Sequence, residues 1–226
     1  MTKPYRDSIE NFMAHFRRQC EEIAEVQSQF HRTVLYTTAL DPLARAAYGK
    51  AKPREHRANL VRLIVEHGGW AAAIRISLPQ LTQTLRTKGR ARFRLHRHAV
   101  QSLNAVPVGT KVPLAHSPQK NDLLPFAATD WERETLNLHT YANLFYDYRN
   151  NLVHEFREPG YGTDWSRKST DPYYTNSAFS ERELVFPVGF IEKLYQNTLE
   201  SLESALLAEK RPPHSRFTFG SHWKAQ

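Results

Sequence analysis

The sequence predicts an all-α protein, an antiparallel helical bundle with at most one small β-hairpin. Three observations predict it. Apolar residues recur at intervals of three and four through most of the chain. Glycine and proline mark several of the boundaries between these periodic segments, as at Gly49, Gly68-Gly69 and Pro159-Gly160. Strand character is slight, and its clearest instances, Tyr173-Tyr174-Thr175 and Glu183-Leu184-Val185-Phe186, are placed to pair with one another.

From Tyr5 to Phe30 the residues Ile9, Phe12, Phe16, Cys20, Ile23, Val26 and Phe30 define one long amphipathic helix. A second helical segment carries Val34, Leu35, Leu40, Leu43 and Tyr48. Asp41-Pro42 inside it has the pattern of a cap followed by proline at the first helical position, which predicts a fresh start there. Pro53 opens a helix that Gly68-Gly69 ends at His67. The apolar stretch Trp70–Ile76 fits no single state. Helices are predicted from Ser77 to Leu85, with Ser77 as cap, and from Arg90 to Asn104. Val106–Leu114 reads as a ragged hairpin whose two prolines exclude a central strand. Asp130 is the predicted cap of a helix running to about Arg157, where Pro159-Gly160-Tyr161-Gly162 stops it. Pro187–Leu207 is the last helix. Residues 210–226 are basic and aromatic without period, a tail or a partner-clasping arm.

Composition bounds the function. The chain has 226 residues, 40% of them hydrophobic, enough for one sizeable core. A net charge of +8 suits an acidic partner, most simply nucleic acid. The single cysteine, Cys20, excludes an internal disulfide and a cysteine-based zinc finger. No signal peptide and no apolar run long enough to span a membrane are evident, so the cytoplasm is the default compartment. Zincin, phosphate-loop, serine-hydrolase and EF-hand patterns do not occur.

Polar chemistry concentrates in Tyr148-Arg149-Asn150-Asn151-Leu152-Val153-His154-Glu155-Phe156-Arg157-Glu158. An arginine, two amides and a histidine sit within two turns of an otherwise apolar, aromatic helix (Tyr141, Leu144, Phe145, Tyr148, Leu152, Phe156). Arginine offers phosphate a rigid fork, and histidine moves protons near neutral pH. The same arginine-to-histidine interval occurs at Arg62 and His67, but there it runs into Gly68-Gly69 and reads as a helix end. Arg149-Asn150 followed by His154 resembles the Arg-polar-x-x-x-His signature of the HEPN superfamily (higher eukaryotes and prokaryotes nucleotide-binding domains), over about residues 5 to 209. The resemblance implies one helical domain over 1–209, a homodimer, and a metal-independent endoribonuclease with no cofactor. Many members of that superfamily are toxins or antiviral effectors.

On a regular helix Asn150 and His154 share a face, whereas Arg149 and His154 lie roughly 140° apart and about 7.5 Å along the axis. Cleavage of RNA by its own 2′-hydroxyl needs both a base and an acid, and one chain offers one histidine. A two-fold dimer answers both difficulties, because it brings two copies of Arg149 and His154 to one cleft. His154 is then the proton-transfer residue and Arg149 the stabiliser of the charged phosphorane. Asn150, and less directly Asn151, holds the imidazole or the phosphate. The competing reading is a buried polar network, or a helix-end cap, in a non-catalytic binding or dimerisation module.

A second feature is electrostatic. Between Glu66 and Asp122 there is no acidic residue, and six cations crowd into 86–97: Arg86, Lys88, Arg90, Arg92, Arg94 and Arg97. They are the candidate RNA-binding residues. A solvated helix face, or a surface for an acidic protein such as an antitoxin or a defence-complex partner, is the alternative. His96 and His98 point to different sides of a helix, so no metal site is expected there.

Overall fold

The computed structural model describes residues 4–49, 55–105, 112–114, 117–158, 168–175 and 182–216. The expectations for Pro53, Val106–Lys111, Pro159–Gly162 and the tail beyond residue 216 lie outside them. The fold is an all-α helical bundle with a small antiparallel sheet. The chain divides into two compact units, residues 1–69 with 191–226, and residues 70–190.

The first unit holds α1 (Pro4–Glu25), α2 (Gln29–Tyr48), α3 (His56–His67) and, from its fourth residue, the helix Val188–Glu209. The long first helix expected from the sequence ends five residues early. Ser28 caps α2 by accepting the His31 amide, and the buried Arg32 guanidinium donates to Val26 O (2.5 Å), which finishes α1. The predicted fresh start at Asp41-Pro42 does not occur: α2 runs through Pro42. The interior is apolar, with Phe12, Phe16, Leu40, Leu63, Leu194 and Leu202 all buried. Tyr36 and Tyr195 lie within it, rings 5.6 Å apart, and each donates its hydroxyl to a carbonyl of α1 (Cys20 O and Phe16 O, 3.3 Å). Residues 210–216, expected to be tail, are fixed to this unit. Arg211 donates to Ala46 O (2.7 Å) and Arg216 to Ala47 O (3.1 Å), covering carbonyls that the end of α2 leaves without helical partners.

The second unit holds α4 (Leu78–Thr87), α5 (Arg94–Asn104), the two-residue β1 (Val112–Pro113), α6 (Lys120–Leu123), a 3₁₀ turn (Leu124–Phe126), α7 (Asp130–Leu138), α8 (Tyr141–Asn150), β2 (Tyr173–Thr175) and β3 (Glu183–Val185). β2 and β3 pair as the expected hairpin, with Tyr174 opposite Leu184. β1 adds to the β2 side as an edge, where Pro113 costs no internal ladder bond. One core (Leu78, Leu81, Leu85, Leu95, Ala99, Leu123, Leu136) joins α4, α5, α6 and α7. A second joins Leu114, Tyr141 and Tyr174 with Trp70 and Leu184.

The single helix expected from Asp130 to Arg157 is two helices. Thr129, not Asp130, caps the first in a reciprocal box: Thr129 Oγ1 accepts the Glu132 amide (3.2 Å), and Glu132 Oε2 accepts the Thr129 amide (3.0 Å). The helix breaks at His139-Thr140 because the stretch 73–77 threads past it. The Tyr141 amide donates to Arg75 O and the Ala142 amide to Ala73 O, while the Ser77 amide takes His139 O. The segment that fitted no single state is therefore a run of turns (Ala73 amide to Trp70 O, Arg75 amide to Ala72 O) ending in two bridge residues, Arg75 and Ile76, and it supplies carbonyls to the start of α8.

Candidate functional site

Helix α8 carries the motif and is fixed at three levels. At its start, Thr140 accepts the Asn143 amide. Beside it four hydroxyls close a buried network: Ser117 to Tyr141 (2.5 Å), Tyr141 to Tyr174 (2.7 Å) and Tyr174 to Ser77 (2.6 Å). Burial pushes the Tyr141 phenol up to about 12, so it stays protonated and can donate. In the middle, Phe186 packs against Phe145 (5.3 Å) and Tyr148 (5.1 Å), and Trp70 against Phe190 (4.9 Å). At its far end Tyr148 donates its hydroxyl to Glu158 Oε1 (2.8 Å).

The motif itself does not lie on a regular α-helix. Residues Asn151–Glu155 form a π turn, closed by the Phe156 amide on Asn151 O. A π turn holds an extra residue, so each step rotates by roughly 80° rather than about 100°. On that ideal geometry Arg149 and His154, roughly 140° apart on a straight helix, come to roughly 80° of each other. Leu152 remains buried, while His154, Glu155, Phe156 and Arg157 are exposed. Phe156 ends the turn in the left-handed region (φ 53°, ψ 38°) and is 61% exposed, although the apolar pattern assigned it inward. Arg157 pairs with Glu155 (2.5 Å).

The three residues expected to act together divide by environment. Arg149 is 9% exposed and donates from Nη1 to Asn150 Oδ1 (3.0 Å). Asn150 therefore orients the guanidinium in this state. Asn151 is turned back, donating to Asp147 O (2.9 Å). His154 stands at the surface. The other arginine-to-histidine pair is a helix end, as read: Arg62 meets Glu66 (2.8 Å), and His67 meets Ser201 (2.9 Å) as α3 stops at Gly68.

Sequence reasoning missed Glu158. Its Oε1 accepts from Tyr148, its Oε2 is buried without a hydrogen-bond partner, and burial raises its carboxyl above the ordinary value. The polar string held the residue, but only the fold back toward Tyr148 shows the pair.

All six candidate RNA-binding residues, Arg86, Lys88, Arg90, Arg92, Arg94 and Arg97, are exposed on or between α4 and α5. Gly89, at φ 70°, turns the chain between those helices. Neither a family model, nor a curated protein, nor a solved structure matches the chain.

Proposed function

We propose that the chain is a metal-independent endoribonuclease of HEPN type, acting on RNA at a composite site in a homodimer, as a toxin or antiviral effector. The observation that supports this reading is the π turn Asn151–Glu155, because a smaller rotation per residue narrows the angle between an exposed His154 and the Arg149–Asn150 pair. His154 takes the proton from the attacking 2′-hydroxyl, and the second copy's histidine protonates the leaving 5′-oxygen. Arg149 stabilises the charge that builds on phosphorus. The products are a 2′,3′-cyclic phosphate and a 5′-hydroxyl.

The test is incubation of the purified protein with RNA in EDTA. Cleavage should persist, and H154A and R149K should each lower the rate by at least about two orders of magnitude. Lysine keeps the charge at 149 but loses the planar fork, so it separates catalysis from simple loss of a buried side chain. Cleavage at the wild-type rate in folded H154A would overturn the site.

The burial of Arg149 favours a second reading. There the guanidinium and Asn150 form a structural pair at the end of α8, and the chain binds RNA or a partner without turnover. Binding of RNA with no cleavage under any condition, in a protein whose melting temperature falls sharply in R149K, selects it.

A further inference from the structure

The exposed cations of α5 and the loop before it do not stand alone. Arg90 lies over the rings of Phe93 (4.7 Å) and Trp131 (5.6 Å). Arg94 lies over Phe126 (5.1 Å), and the His98 ring stacks on that same Phe126 at 3.6 Å and 10°. Trp131 is 39% exposed, a large apolar ring left open beside cations. Of the acidic residues around Trp131, Glu132 is buried in the capping box, while Asp130 pairs with Arg133 (3.0 Å) and Glu134 accepts from Asn137 (3.3 Å) at the surface. Two arginine–aromatic groups thus adjoin at Phe93-Arg94, one built on Trp131 and one on Phe126. A surface that served only to attract phosphate would need the cations and not the rings.

We propose that this face is a stacking surface for unpaired nucleobases, distinct from the His154 end of α8 and serving to seat a single strand of the RNA. A base enters against Trp131 in place of, or together with, the Arg90 guanidinium, and the Phe126–His98 stack receives its neighbour. Arg86, Lys88, Arg92 and Arg97 hold the phosphates. The inference rests on RNA being the substrate, and it adds that bases, not only the backbone, are held.

The experiment measures binding with the H154A protein in EDTA, so that cleavage plays no part. The probe is a labelled twelve-nucleotide RNA without self-complementarity, alone and annealed to its complement. Trp131→Ala and the double substitution of Trp131 and Phe126 by Leu should weaken the single strand at least about tenfold while leaving the duplex and the salt dependence unchanged. Trp131→Phe should restore most of the affinity. R86A with R97A should weaken both probes and flatten the salt dependence. Aromatic variants that melt like the wild type and bind the single strand equally well would overturn the proposal. So would equal competition by polyglutamate, which would mark the face as a site for acidic protein. Failure of RNA cleavage in the wild type bears on His154 alone and leaves this result readable.

Discussion

Glu158 illustrates how little a residue's neighbours in sequence reveal about its state. It follows four exposed residues, yet its Oε2 is buried without a hydrogen-bond partner, and Tyr148 donates to Oε1. Its carboxyl is raised above 4.5 chiefly by burial. A raised acid gives stability that is complete below its unfolded value and is lost as pH climbs through the folded one. The melting temperature of the wild type should therefore fall, relative to E158Q, as pH rises above 4.5, with the two converging in acid. A gap independent of pH would mean the side chain is not titrating in that window. Arg149, Asn150 and His154 stand out as candidates in the sequence because three polar types in an aromatic helix are conspicuous. Their division into a buried pair and an exposed imidazole was not, because it depends on Leu152 packing inward while the widened turn carries His154 out.

At the scale of elements, periodicity revealed helices but not where they break. α7 and α8 read as one because the interruption comes from Ala73 and Arg75, more than sixty residues earlier in the chain. The cap was misplaced by one residue for a local reason: Thr129 and Glu132 complete a reciprocal pair that Asp130 cannot. T129A should cost about 1 kcal/mol of unfolding free energy in urea, and E132Q should couple to it in a double-mutant cycle. The β2–β3 hairpin was legible from its β-branched and aromatic residues; β1, only two residues long, falls at the end of the stretch read as a ragged hairpin, but its pairing with β2 was not legible. In the π turn a sequence spacing of five comes nearer to what four does in a regular helix. Deleting Val153 should let the helix run regular with the imidazole still on the guanidinium's side, keeping cleavage within about tenfold. Inserting one alanine after Asn151 should swing it away by roughly 80–100° and abolish cleavage.

For the whole molecule, fold class and charge were the most legible quantities, because both are sums over many residues. Helical periodicity survives local errors, and the run without acidic residues survives any error of helix boundary. What no sum could show is the Trp131 and Phe126 company kept by Arg90 and Arg94, since those rings come from segments roughly thirty to forty residues on. Nor does composition show that one compact unit, 70–190, is nested within the chain of the other. Its first and last residues, Trp70 and Phe190, meet ring to ring at 4.9 Å. Chain entry and exit therefore share a single doorway, the usual anatomy of a transplantable insert. Expressed by itself, the stretch 70–190 should melt cooperatively and carry both the motif and the basic face with it; a chain that fails to do so would show that its host is also its scaffold.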